Sequence, residues 1–166
     1  MPSGALAGRS DMGSKTSPKW ISAIIRWPLL WHAARLALVS AYILGGFAKL
    51  LDLAGAAAEQ EHFGLYPGLL WASAAIVVEL CGSLLVVVNR WVWLGAGGLG
   101  VLTFVAMLTA NAFWTMGGHE RFMATNAFFE HLGLIAGLVI VTILSEEAVT
   151  RPKSGAGSQA IQGVSR

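Results

Sequence analysis

Cysteine and charge are what this sequence has least of. A single cysteine, Cys81, stands in 166 residues. The chain therefore cannot close an internal disulfide, and it has no CxxC pair and no cysteine set for a zinc or iron–sulfur centre. Charged residues make up 12% of the whole. The basic ones are scattered along the flanks of apolar runs instead of gathered in a patch, so the formal charge of +2 and the pI near 9.0 carry no nucleic-acid footprint. What is abundant is apolar surface. Hydrophobic residues reach 55% and the mean hydropathy is +0.65, more than a soluble domain of this size could bury, so the bilayer is the first partner expected.

The length suits one domain. Residues 1–19 are rich in Gly, Ser, Lys and Pro and predict a disordered leader, and residues 20–32 mix Trp20, Arg26, Pro28 and Trp31 as an interfacial segment would. A transmembrane domain is predicted over 33–145, with spans at about 33–51, 69–88, 91–115 and 127–144, followed by a disordered tail at 146–166. Each run is close to the roughly 20 residues a helix needs to cross ~30 Å of hydrocarbon. None alternates as a barrel strand would, so the fold class is all-α, an up-down four-helix membrane bundle. Small residues at Leu53–Ala58 follow the first span as at a cleavage site, but the long polar leader, Lys49 and Asp52 argue that this span is retained.

The connections read as an acidic loop with Glu59, Glu61 and Tyr66-Pro67-Gly68, a tight turn at Asn89-Arg90 and a polar loop over 117–126. Arg9, Lys15, Lys19, Arg26 and Arg35, then Arg90, then Arg151 and Lys153 fall on one side, against Lys49 and Arg121 on the other. Both termini are accordingly expected in the cytoplasm, with His62 and His119 in ordinary loops outside.

Several polar residues then stand where lipid tolerates them badly. Glu79 lies near the middle of the second span, where a charge costs roughly 2 to 3 kcal/mol even on the lenient insertion scale. Ala72, Ala75, Gly82 and Ser83 surround it on the helix, so another backbone can approach there. At 100° per residue Arg35, Tyr42, Gly46 and Lys49 share a narrow arc of the first span. Gly100, Thr103, Met107 and Asn111 share a face of the third with Trp114 nearby, and Asn126, Glu130, Gly133 and Gly137 align on the fourth beside His131. By depth, Lys49, Asn111, Glu130 and His131 lie in the outer third and Glu79 at the midplane. Together they predict a polar pocket opening toward the outer leaflet. Each residue also has a plainer reading: snorkelling for Lys49, a positive-inside anchor for Arg35, a structural ion pair for Glu79, and water-touched packing for Glu130 and His131. A haem held by two histidines is disfavoured, because only His131 stands at a suitable depth.

The strings AYILGGFAKLLD, VVELCGSLLVV and NAFFEHLGLIAGLV resemble those of the DoxX family of small bacterial four-helix membrane proteins. Gly46 and Lys49 match that family's Gly-x-x-Lys, Glu79 its membrane glutamate, and Asn126, Phe129 and the glycines after them its fourth-helix entry, over about Arg35 to Leu144. The resemblance implies a bacterial plasma-membrane protein tied to redox chemistry, some relatives being subunits of quinone-reducing sulfur-compound oxidoreductases and others partners of detoxifying enzymes. This chain has no flavin, haem or iron–sulfur signature of its own, so electron transfer would use a bound quinone or a partner's cofactor.

The leading reading is a membrane subunit of a redox complex, at most one part of a quinone-linked oxidoreductase. Lys49, Asn111 and Trp114 are the candidates to hold a quinone-like molecule, and Glu79, Glu130 and His131 the candidates to exchange its protons. A non-catalytic scaffold that recruits a soluble enzyme is the alternative, with a protein partner or a second copy implied in either case. A small transporter is a third, weakened by the lack of an internal repeat.

Overall fold

The computed structural model describes residues 18–150; of the leader expected at 1–19 and the tail expected at 146–166, residues 1–17 and 151–166 lie outside the described residues, while 146–150 continue the last helix. The elements in order are α1 (Lys19–Ile25), α2 (Pro28–Leu51), α3 (Leu53–His62), α4 (Gly68–Val87), α5 (Val92–Ala110), a 3-10 turn (Phe113–Thr115) and α6 (Gly118–Thr150). Among the described residues α2, α4, α5 and α6 are long and apolar enough to cross a membrane. The all-helical class follows from the requirement that a backbone in lipid satisfy its own hydrogen bonds.

Three of these boundaries differ from the sequence reading. The segment expected as an acidic loop after the first span is mostly helix, α3, started by the Asp52 carboxylate, whose Oδ1 accepts from the Gly55 N–H at 2.9 Å. The polar stretch from Gly118 onward is the first part of α6 and not a loop. His62 and His119 consequently sit on helices, both exposed. At 1.5 Å per residue α6 is about 50 Å long, well beyond ~30 Å of hydrocarbon, so its ends project from the apolar layer. α2 begins earlier than expected, with Pro28 in its first turn, where a missing N–H costs nothing.

The tight turn between α4 and α5 is as expected. Asn89 and Trp91 both adopt positive φ, 57° and 50°, reversing the chain within a few residues; asparagine tolerates that region, while tryptophan rarely enters it.

Short connections make neighbours of sequential spans: α2 lies along α4, α4 along α5, and α5 along α6. α6 returns to α2 only over a short stretch. There Leu38 meets Gly137, and Arg35 donates to Ser145. The core is Val39, Tyr42, Val86, Val92, Ala96, Leu99, Leu138 and Val141. Outside it Leu44, Phe47, Val77, Val101, Phe104 and Val139 are exposed, a surface suited to acyl chains and unsuited to water. α4 and α5 approach closely at Gly82 and Gly95, where a methyl group on Gly95 would lie 2.6 Å from the Gly82 carbonyl oxygen.

Candidate functional site

α2 and α4 supply the centre of the site. Arg35, Val39, Tyr42 and Gly46 form the buried stripe of α2, and Lys49 lies on the next turn. α4 buries Ala72, Ala75, Glu79, Gly82 and Ser83, so the small residues around the acid do face the bundle. Gly46 sets the spacing: a methyl group there would come within 2.8 Å of Leu80 Cδ2 and 3.3 Å of Glu79 Cβ. At that separation Lys49 Nζ donates to Glu79 Oε1 at 2.7 Å, the one ion pair among the described residues. The lysine side chain is 23% exposed and the glutamate 9%. The pair is therefore asymmetric, with an acid held inside and a base at the edge.

The second carboxylate oxygen, Glu79 Oε2, is buried with no hydrogen-bond partner among the described residues, as is Ser83 Oγ one turn along α4. A buried carboxylate oxygen normally has at least one partner. Against the flank of the pair lies Gly45, which the sequence reading passed over in favour of its neighbour. A methyl group on Gly45 would meet Lys49 Nζ at 3.4 Å and the two Glu79 oxygens at 3.6 and 3.8 Å, ordinary contact distances. No side chain grows from Gly45 to cover the ion pair.

Deeper in the bundle Tyr42 and Thr103 share a hydrogen bond of 2.6 Å between α2 and α5. Thr103 Oγ1 donates its own proton to the Leu99 carbonyl at 2.7 Å, so the phenol must be the donor to threonine. Tyr42→Phe should accordingly cost less than about 1 kcal/mol, since threonine keeps its carbonyl, whereas Thr103→Val should cost about 1 to 3 kcal/mol by stranding a buried phenol. Thermal unfolding of the two variants in one detergent checks the order; the reverse order would mean the proton is assigned wrongly.

The remaining candidates lie at the same end of the bundle as Lys49 but form no hydrogen bond or ion pair with Lys49 or Glu79. Asn111 ends α5, half-buried and without a side-chain hydrogen bond. Trp114 is exposed and packs edge-on with Phe113 and Phe128. His131 Nδ1 lies 2.6 Å from the Ala127 carbonyl, so that nitrogen carries the proton and Nε2 is left without a partner. Glu130 is exposed. Gly100, expected to share a face with Thr103, Met107 and Asn111, lines an apolar groove between α5 and α6 with Trp93, Phe104, Ile135 and Val139. That groove holds about 470 Å³, and neither Lys49 nor Glu79 borders it. Arg35 also departs from expectation: it is 1% exposed and lies inside the bundle, not at its rim as an anchor would.

A family model described as DoxX matches residues 30–112, half of the chain. The chain belongs to the DoxX family. The matched stretch begins within α2 and ends just after α5, so it contains Lys49, Glu79 and Asn111. Trp114, Glu130 and His131 lie beyond it, and the DoxX likeness of the fourth span rests on its sequence pattern alone. No curated protein and no solved structure matches this DoxX chain.

Proposed function

We propose that this protein is the membrane subunit of a redox complex and that a quinone-like molecule binds against the Lys49–Glu79 pair. The observation that carries the reading is a buried carboxylate with one oxygen paired to a lysine, the other unpartnered, and a glycine flank beside both. A lysine N–H can hydrogen-bond a quinone carbonyl, and a carboxyl group can pass the proton that accompanies reduction. Quinone supplies the electron-accepting chemistry; the residues of this chain bind, orient and exchange protons.

Entry is lateral in this reading. α2 and α6 touch at Leu38 and Gly137, and Gly45 lies one heptad beyond Leu38 on the same face of α2. On α6, Glu130 and Asn126 share the arc of Gly137, while a methyl group on Gly133 would meet nothing within 4 Å. In this reading the seam between the helices widens away from the termini and gives access to the ion pair from the side of Glu130. His131, Asn111 and Trp114, at the same end of the bundle, are its proposed polar and aromatic rim. With both termini in the cytoplasm, the mouth faces the outer leaflet of a bacterial plasma membrane.

Mild-detergent purification from native membranes should retain quinone, quantified by extraction and mass spectrometry, and Glu79→Ala should lose it. Gly45→Leu should lower retention at least roughly tenfold by filling the flank, the equivalent of about 1.4 kcal/mol, with no loss of folded protein. Wild-type protein free of quinone, or retention unchanged in both variants, would remove the proposal.

A second reading, a scaffold for a soluble enzyme, draws on α6, whose 33 residues carry its ends beyond the hydrocarbon. A soluble partner would dock on such a projecting end. In this case Glu79→Gln leaves partner recovery unchanged while substitutions at the exposed outer end of α6, such as Phe122→Ala, abolish it.

A further inference from the structure

At the opposite end of the bundle from the ion pair, Arg35 is a buried cation with no carboxylate partner among the described residues. It is 1% exposed. One Nη2 hydrogen goes to Ser145 Oγ at 2.8 Å, and that hydroxyl donates onward to the Val141 carbonyl at 2.5 Å. The Trp31 ring lies over the guanidinium, 4.7 Å from Cζ to its centroid. Nε and Nη1 have no hydrogen-bond partner among the described residues. A guanidinium has five N–H donors and cannot lose its charge, so burial of this kind asks for anionic oxygens from somewhere. Glu146 and Glu147 follow Ser145 on α6 but are exposed and form no ion pair with it.

The surroundings of Arg35 say what kind of anion fits. It borders a groove of about 220 Å³ between α2 and α6, walled otherwise by Trp31, Ala34, Leu38, Gly137, Ile140 and Leu144 among others, nearly all carbon. Arg35 stands about 10 Å along α2 from Pro28 at 1.5 Å per residue, with Trp31 one turn nearer the end, the level of a membrane aromatic belt. The groove offers one cation near the headgroup zone and a hydrocarbon slot leading from it toward the middle of the bilayer.

We infer that this groove binds one anionic glycerophospholipid, its phosphate on Arg35 and a stretch of acyl chain between α2 and α6. The planar guanidinium suits a phosphate with two oxygens on one edge, and Nη2 keeps a second hydrogen for such a contact. To reach Nε or Nη1 the phosphate takes the place of the Trp31 ring, which moves aside toward the interface. A free phosphate ion would use the cation and leave the slot empty; a lipid uses both. The site is independent of the quinone reading, being built from other residues at the other end of the bundle.

The test uses the full chain, purified in mild detergent and stripped of lipid, with native mass spectrometry and thermal unfolding as readouts. Dioleoyl phosphatidylglycerol should bind and raise the melting temperature, dioleoyl phosphatidylcholine should bind roughly tenfold more weakly, and inorganic phosphate should give no shift. Arg35→Met should lower phosphatidylglycerol binding at least roughly tenfold. Ile140→Trp fills the slot from its exposed wall without touching the guanidinium and should weaken the lipid likewise, which keeps the question open to test if Arg35→Met fails to fold. Equal binding of the two lipids, stabilisation by phosphate matching that of phosphatidylglycerol, or undiminished lipid binding in Ile140→Trp would overturn the assignment.

Discussion

Lys49→Met should destabilise the bundle by about 3 kcal/mol, more than Glu79→Gln, at about 1 to 2 kcal/mol. The order follows from where each charge is left. Removing the lysine strands a carboxylate whose side chain is 9% exposed at mid-span, with no second partner for either oxygen. Removing the acid strands an ammonium that is already 23% exposed in the last turn of α2, from which a lysine can extend to the interface. Replacing both residues with methionine should recover most of the loss and unfold within about 1 kcal/mol of wild type, because two apolar side chains of similar volume carry no desolvation cost. Denaturant titration in a constant detergent gives the four corners of the cycle. Strictly additive losses would show that the two residues are not energetically coupled.

Gly95→Val should be the most damaging glycine substitution on α5, costing about 3 kcal/mol. A Cβ there would lie 2.6 Å from the Gly82 carbonyl oxygen and 2.9 Å from Leu85 Cβ, so a backbone atom and the root of a side chain must yield, and α4 and α5 must move apart. That separation would carry Leu99, fully buried against Gly82, out of its contact. Gly97→Val, two residues along the same helix, should change stability by no more than about 0.5 kcal/mol, since nothing lies within 4 Å of its added Cβ. Melting temperatures measured side by side separate the two; equal losses would mean that α4 and α5 do not meet through this glycine.

The fold was legible because lipid imposes length and hydropathy on every span, and the ion pair because two pieces of arithmetic converge. The 100° rule puts Lys49 on the arc of Tyr42 and Gly46, and the small residues around Glu79 mark the face it must use. What stayed hidden depends on contacts far apart in sequence. A basic residue near a span end looks the same whether it anchors in headgroups or turns inward, and the partner that draws Arg35 inward, Ser145, is 110 residues away. α3 was missed although its signal was present: Asp52 ahead of an alanine-rich run is an N-cap. Gly100 shares an arc with Thr103 by periodicity, yet α6 crosses α5 so that this glycine borders an apolar groove. Gly45 and Gly46 are adjacent in sequence, and only the packing of α4 distinguishes the spacer from the glycine beside the ion pair.

Photolabelling with an azido-ubiquinone analogue, mapped by peptide mass spectrometry on the protein in nanodiscs, separates the two places where a long apolar quinone could settle. Labels clustered on α2 around Gly45 to Lys49 and on α6 around Glu130 to Gly133, and competed away by unlabelled quinone, are the predicted result. Labels confined to the α5–α6 groove at Trp93, Phe104 and Val139 would contradict it and leave the lysine–glutamate pair with a structural role alone.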